Sequence, residues 1–203
     1  MGDDRNLGLF PLDLVLLPGE TVPLHVFEQR YRQLYADTVL DDMPFVLVRE
    51  TPAGRADVGC TAHFESLLRR HADGRMDVVV RGREPAELVQ ETEGHPYRSA
   101  LVRPLVDLDD APPPGRRAEI IARYRELAGP AVAVPDDPGV PLSYALAATL
   151  TLEVDAKQAL LVERSETLRM EMLADAFEAA AERTGFAAEA GRRARTNGKV
   201  AHP

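Results

Sequence analysis

The chain has 203 residues and carries 33 acidic against 24 basic side chains, which gives a formal net charge of -9. A protein of this charge repels nucleic-acid phosphates and anionic membrane surfaces, so neither is an expected partner. Hydrophobic residues make up 45% of the chain. This fraction is typical of a globular protein with a sizeable core and excludes a disordered chain.

The cysteine content and the N-terminus bear on the compartment. The single cysteine, Cys60, can form neither an internal disulfide nor a cysteine-rich zinc site. The first residues include Asp3 and Asp4 and no apolar signal core. No apolar run reaches the roughly 18 residues that a membrane span needs. We therefore expect a cytoplasmic protein without membrane association.

The first half of the chain, residues 7–108, has the pattern of short β-strands. Gly, Pro and Asp-Gly steps separate runs that are rich in Val, Leu and Phe. The Asp73-Gly74 step lies between two alternating segments, which predicts a hairpin. The predicted elements, in chain order, are a strand at 22–26, a helix at 28–39, and strands at 45–49, 58–68, from Met76, at 86–91 and at 97–106. Residues 7–108 therefore predict a β-rich subdomain with one helix.

The second half of the chain reads as helical. Residues 107–115 combine acidic side chains with three consecutive prolines, which continue neither a helix nor a central strand, and we place a domain boundary there. The predicted helices lie at 116–128, at 142–152, from an Asp155 capping pattern, and from a Ser165 cap to Thr184-Gly185. Residues 115–185 therefore predict a helical bundle.

The C-terminal segment, residues 187–203, differs in charge from the rest of the chain. It carries four basic side chains, Arg192, Arg193, Arg195 and Lys199, against the single acidic Glu189. Such a composition at a chain end predicts a disordered tail.

Known catalytic, nucleotide-binding and metal-binding motifs are absent from the sequence. It contains no phosphate loop, no Gly-x-Gly-x-x-Gly turn, no Gly-x-Ser-x-Gly elbow, and no His-x-x-x-His or Cys-x-x-Cys spacing. Cys60 falls on the apolar face of its predicted strand, which predicts a raised thiol pKa and no nucleophilic role. His25 lies between apolar neighbours, where a hydrogen-bonded histidine is commoner than a ligand or a base. We therefore predict no catalytic, cofactor-binding or metal-binding residues.

A series of short motifs runs along the chain in a definite order. They are Leu9-Phe10-Pro11-Leu12, Val15-Leu16-Leu17-Pro18-Gly19, residues 23–28, Arg30-Tyr31, residues 45–48, 58–62 and 73–82, and Lys157-Gln158 with Leu160-Leu161. In order and spacing they resemble the N-terminal substrate-binding domain of Lon proteases, over residues 7–182. The resemblance implies an N-terminal PUA-like β pseudobarrel with one helix, followed by a C-terminal helical bundle. This α+β class agrees with the two halves predicted from the residues.

The resemblance also bears on activity. A complete Lon protease follows this domain with an ATPase module and a Ser-Lys protease module, and the sequence ends before either begins. We therefore expect a standalone, ATP-independent protein without cofactors to which the protease activity does not transfer. One departure from the family lies in the closing helix, where the family's Arg-Leu pair appears only as Leu168-Arg169.

The function expected from these observations is non-enzymatic polypeptide binding. The partner would be an unfolded segment or a protease or chaperone, bound at an apolar groove or at a sheet edge near Arg98 and Pro104. The candidate binding residues, where the predicted strand and helix meet, are Leu24, His25, Phe27 and Tyr31. Phe27 and Tyr31 can instead pack the helix onto the sheet. RNA binding is the alternative, and a serine hydrolase using Ser143 is a third. A monomer and a weak dimer both remain open.

Overall fold

The computed structural model describes residues 4–129 and 132–197, with side chains as far as residue 181. Within these residues the chain forms seven strands and five helices. In chain order they are β1 (Arg5–Leu12), β2 (Thr21–Val26), α1 (Gln29–Asp41), β3 (Phe45–Thr51), β4 (Gly54–Arg55), β5 (Val58–Arg70), β6 (Met76–Thr92), β7 (Ser99–Pro104), α2 (Pro114–Ala128), α3 (Leu142–Ala147), α4 (Val154–Val162) and α5 (Glu166–Asn197). Of these helices, not one is long and apolar enough to cross a bilayer.

Five of the strands close into a ring. Their order is β1, β7, β6, β5 and β3, and β1 completes the ring because it pairs antiparallel with β7 and parallel with β3. Strand β2 adds to β6, and the short β4 adds to β3. Closure pairs the ring strands on both sides and leaves few free edges. The predicted α+β class, with a β barrel and helices, is confirmed.

The hairpin of β5 and β6 is the longest feature of the sheet. Gly74 adopts a φ of +85° in its turn, a left-handed conformation that glycine adopts without strain. The His71 N–H donates to the Arg75 carbonyl at 2.8 Å and closes the loop. The predicted hairpin is confirmed. The strand predicted separately at 86–91 is the second half of β6, which continues past irregular pairing near Pro85.

The sheet edge predicted near Arg98 and Pro104 is not present. Strand β7 lies between β1 and β6, so its backbone has partners on both sides. Pro104 is tolerated because it lies beyond the described β1–β7 pairs, which end at Arg5 and Val102. Arg98 pairs instead with two carboxylates, those of Glu50 and Glu91.

Two groups of side chains form the core of the barrel. Alternate residues of β1, β3, β6 and β7 meet in one buried cluster, since successive side chains of a strand point to opposite faces. Its members are Leu7, Leu9, Val46, Val48, Ala86, Ala100 and Val102. On the other face, aromatic rings fix helix α1: Tyr31 stacks on Phe10 with ring centroids 4.2 Å apart, and Tyr35 meets Phe64 at 4.8 Å.

The chain divides into two compact units. One contains the residues up to Ala111 together with Pro135–Arg169, and the other contains Pro112–Val134 together with the chain from Met170. The first unit holds the barrel, α1, α3 and α4. In the second, Tyr124 of α2 and Phe177 of α5 pack with ring centroids 6.3 Å apart. The boundary predicted at 107–115 stays a prediction, as does the bundle at 115–185.

Two predicted helix ends are wrong. Helix α3 ends at Ala147 instead of 152, where Thr149 turns its N–H and hydroxyl back to the Leu146 carbonyl. Helix α5 continues through Thr184-Gly185 to Asn197, because a glycine costs only about 1 kcal/mol inside a helix and no proline follows. Of the predicted tail at 187–203, residues 198–203 lie outside the described residues.

Candidate functional site

The Pro18-Gly19 motif builds part of the barrel wall. The Gly19 N–H donates to the Gly82 carbonyl at 3.0 Å, and the Gly82 N–H donates to the Glu20 carbonyl at 2.9 Å. A Cβ atom on Gly82 would lie 2.2 Å from the Leu17 carbonyl oxygen. Only glycine fits such an approach, so these two motifs are tied together by backbone contact.

The Lys157-Gln158 motif holds helix α4 on the barrel. The Lys157 ammonium group forms an ion pair with the Glu20 carboxylate, and both side chains are largely buried. The Gln158 amide donates to the Val58 carbonyl at 3.0 Å. Leu160 and Leu161 are buried beside them. The motif therefore has a structural explanation that needs no ligand.

A buried arginine, Arg169, organises the start of helix α5. Its side chain is fully buried and donates to both oxygens of Asp107, at 2.8 and 2.5 Å, and to Glu166 at 2.8 Å. Its guanidinium carbon lies 4.3 Å from the ring centroid of Tyr144. Ser165 caps the same helix, as predicted, by accepting the Leu168 N–H at 3.0 Å. Sequence reasoning noted Arg169 only as a departure from the family, since its partners come from distant segments.

The two nucleophile types considered in the sequence are both buried. The Ser143 hydroxyl donates to Glu166 at 2.5 Å and accepts from Arg169 at 2.9 Å. Among the described residues no histidine contacts Ser143, so the arrangement of a serine hydrolase is not formed there. Burial raises the pKa of the Cys60 thiol to about 12, as predicted, which keeps this group protonated and unreactive.

The four candidate binding residues do not share one surface. Leu24 and Tyr31 are buried in the core, where their side chains cannot contact a partner without rearrangement. His25 and Phe27 are exposed, with ring centroids 6.0 Å apart. The prediction that Tyr31 packs the helix onto the sheet is therefore confirmed, and the same prediction for Phe27, which is 59% exposed, is wrong. As polypeptide-binding residues, the four stay a prediction.

A groove of about 660 Å³ runs between helix α1 and the β5–β6 hairpin. We call it the α1–hairpin groove. The residues that line it include Arg32, Ala36, Val39 and Leu40 from α1, and Arg70 and Met76 from the hairpin. Of the apolar residues that line it, Leu40 is 85% exposed and Val39 is 51% exposed. Isolated exposed apolar residues are ordinary, but two that flank a concave surface mark a candidate binding site.

One end of this groove is closed by contact between its walls. The Arg32 guanidinium donates to the Asp73 carbonyl in the hairpin turn at 3.3 Å. Tyr35 lines the groove and, through its contact with Phe64, holds the helix on β5. Helical spacing predicts one apolar stripe on α1, made of Tyr31, Leu34, Tyr35 and Val39. Tyr31 and Leu34 are buried as expected, whereas Tyr35 and Val39 line the groove.

Beside the hairpin turn, the structure brings together His25, His71 and Asp77. Asp77 accepts at one oxygen from His25 Nδ1, at 2.6 Å, and at the other from His71 Nε2, at 2.8 Å. These two hydrogen bonds, that from His25 first, hold the pKa of Asp77 below its ordinary value. No spacing in the sequence groups the three residues. Only the pairing of β2 with β6 and the turn of the hairpin do so.

Comparison with known proteins identifies the class to which this barrel belongs. The model of the ATP-dependent protease La (LON) substrate-binding domain matches residues 6–177. The chain therefore belongs to the Lon substrate-binding domain family, as its motifs indicated. No curated protein matches the chain.

Two solved structures are similar over most of the chain. The Lon N-terminal domain protein from Xanthomonas campestris is 26% identical with a TM-score of 0.67, covering 84% of this chain and 98% of that one. The N-terminal domain of the Mycobacterium avium complex Lon protease is 18% identical with a TM-score of 0.64, covering 86% and 98%. The second likeness shows the fold alone.

Proposed function

We propose that this protein binds extended polypeptide segments in the α1–hairpin groove and holds them without cleaving them. Membership of a family of substrate-binding domains supports polypeptide as the ligand class. The single observation that carries the location is the groove itself, whose helix wall presents the exposed apolar side chains of Val39 and Leu40.

The dimensions of the groove suit a short extended segment. Helix α1 has 13 residues, so its wall is about 20 Å long at about 1.5 Å per residue. An extended chain rises about 3.3 Å per residue, and about six residues therefore span the wall. Alternate side chains of such a segment would face Val39 and Leu40, whose apolar surface is then removed from water.

The charges of the groove favour a particular composition of segment. Arg32 and Arg70 line it, one on each wall, and guanidinium groups bind carboxylates in paired hydrogen bonds. The groove thus suits an apolar segment that carries an acidic residue. This local positive charge contrasts with the net charge of -9 on the whole chain, which opposes binding of a long nucleic acid.

The absence of cleavage is supported by the state of the two nucleophiles. Ser143 is fully buried in a hydrogen-bonded cluster and Cys60 is a buried thiol with a raised pKa. Neither side chain lines the α1–hairpin groove. A polypeptide bound there therefore meets neither of these groups.

Fluorescence anisotropy with labelled, reduced and carboxymethylated lactalbumin, an acidic unfolded polypeptide, tests the proposal. Leu40→Gln should weaken binding about fivefold, since burying part of a leucine contributes about 1 kcal/mol. Leu168→Gln is the matched control, because Leu168 is 52% exposed on α5 and does not line the groove. Its affinity should equal that of the wild type.

Two outcomes contradict the proposal. One is equal affinity for Leu40→Gln and Leu168→Gln, which places binding elsewhere. The other is tighter binding of a labelled RNA oligonucleotide than of lactalbumin, with a steep loss of RNA affinity as salt is added, which would favour the RNA alternative. Gel analysis of the lactalbumin after incubation should show it intact, whereas fragments that vanish in Ser143→Ala would restore the hydrolase.

A further inference from the structure

Three side chains of metal-ligating type converge on the first unit of the chain. Strand pairing sets His25 of β2 directly opposite Asp77 of β6, and the hairpin turn returns His71 to the same point. One imidazole nitrogen from each histidine and a carboxylate oxygen of Asp77 lie within 4.8 Å of one another. The ring centroids of the two histidines are 5.7 Å apart.

We propose that His25, His71 and Asp77 form a binding site for a divalent transition-metal ion of the zinc class. Imidazole nitrogen and carboxylate oxygen are ligands that Zn²⁺ takes in proteins, and two histidines with one carboxylate leave at least one coordination position for water or another ligand. The side chains are 43%, 23% and 34% exposed respectively, so an ion has a direct path from solvent.

The observed geometry is close to what a metal needs. Zinc ligands lie about 2.0–2.2 Å from the ion, so neighbouring ligand atoms in a tetrahedral site are about 3.3 Å apart. Asp77 now lies 2.6 Å from His25 Nδ1 and 2.8 Å from His71 Nε2. Small side-chain rotations open these distances. The ion then takes the place of hydrogen at these two nitrogens: a neutral imidazole carries its one proton on the other ring nitrogen, and a protonated imidazole releases one proton to solvent, so that both bind in the neutral form.

The charges around the cluster permit a cation. Arg69 lies opposite Asp77 in the strand register, and the basic residue of the turn, Arg75, is paired with Asp73 at 2.7 Å. Its charge is therefore largely offset. The ion would clamp the end of β2 to the turn of the β5–β6 hairpin, a consequence that does not depend on polypeptide binding.

Metal binding is measured on the full, untagged chain after removal of metals with a chelator. Titration with Zn²⁺ against a chromophoric chelator should give one tight site per chain. His25→Gln, His71→Gln and Asp77→Asn should each weaken it by at least about tenfold, since even outer-shell changes at metal sites cost 10–100-fold. His95→Gln is the control, because His95 is a histidine that stacks on Tyr97, away from the cluster, and its affinity should be that of the wild type.

A second measurement distinguishes loss of a ligand from loss of the fold. Circular dichroism should show the same spectrum for all four variants, and Zn²⁺ should raise the Tm of the wild type and of His95→Gln but not of Asp77→Asn. Co²⁺ should give a visible absorption band that disappears in His71→Gln. The proposal is overturned if the wild type binds Zn²⁺ no more tightly than His71→Gln does. It is also overturned if His95→Gln loses as much Zn²⁺ affinity as the three variants of the cluster.

Discussion

Two regions of the first unit differ in how far the family motifs account for them. Where Lys157, Glu20 and Gly82 meet, the motifs that place the chain in its family are buried and tied by ion pairs and backbone contact. Along the α1–hairpin groove, Val39 and Leu40 are exposed and lie outside those motifs. Family motifs here specify mainly the scaffold, and Gly74 and Met76 are the motif residues that also line the groove.

The largest expected effect tests the scaffold at Arg169. Arg169→Met keeps the apolar stem but leaves Asp107 and Glu166 without their cation, and breaking a buried pair in this way costs about 3 kcal/mol of unfolding free energy. Urea unfolding followed by circular dichroism measures it. Arg123→Met, which removes an exposed pair with Glu178, should cost less than about 1 kcal/mol. Equal costs would show that the buried cluster is dispensable.

A smaller effect on the unfolding free energy is expected where Gly82 contacts the Pro18-Gly19 loop. Gly82→Ala introduces a Cβ atom 2.2 Å from the Leu17 carbonyl, and overpacking of this kind costs about 2 kcal/mol. Gly115→Ala is the matched control, since nothing lies within 4 Å of its Cβ position in α2. Gly115→Ala should leave the unfolding free energy unchanged or raise it slightly. A neutral Gly82→Ala would mean that the Pro18-Gly19 loop moves freely.

A pH effect is expected at the start of helix α5. Hydrogen bonds from Thr167 and Ser165, with the Glu166 N–H, hold the pKa of Asp110 at about 2. Because this pKa is below the unfolded value of about 3.9, Asp110 stabilises the fold above pH 4, and the contribution disappears as pH falls towards 2. The stability difference between wild type and Asp110→Asn should therefore shrink over this range. A difference independent of pH contradicts the assignment.

The smallest expected effect is at an exposed leucine, Leu68, of the hairpin that forms one wall of the groove. Leu68→Gln removes an exposed apolar side chain and should change the unfolding free energy by no more than about 0.5 kcal/mol. Tyr31→Ser removes a buried ring that holds helix α1 on the sheet, and it should lower the unfolding free energy by about 3 kcal/mol. Urea unfolding compares the two. A destabilised Leu68→Gln would place Leu68 in the scaffold and blur the distinction between the regions.

Local patterns predicted the elements better than they predicted what the elements bring together. The hairpin at Asp73-Gly74 and the buried stripe of α1 follow from turn chemistry and helical spacing, which are properties of neighbouring residues. The family motifs then supplied the barrel. The cluster at Arg169 and the meeting of His25, His71 and Asp77 depend on strand register and on pairing between distant segments, which no local spacing encodes.

The candidate site, too, was predicted only in part from local patterns. His25 and Phe27 are exposed where the strand and the helix meet, as expected of binding residues. Leu24, which alternates with them along the strand, and Tyr31, which lies on the helix, are instead buried in the core. The groove was missed because the part of the hairpin that lines it, Arg70 to Met76, follows about 30 residues after the helix ends at Asp41. The one signal available was a leucine, Leu40, directly after the predicted helix at 28–39.

The closure of the ring has a consequence for synthesis of the chain. Arg5 in the first strand pairs with Val102 in the last. At about 5–20 residues per second, the ribosome needs several seconds after β1 to complete β7, its antiparallel partner. Contacts between residues so far apart in sequence slow folding further. During that interval residues 5–8 of β1 lack their partner, although residues 9–12 can already pair with β3, so the nascent chain is more open to chaperone capture or aggregation until residue 104 is made.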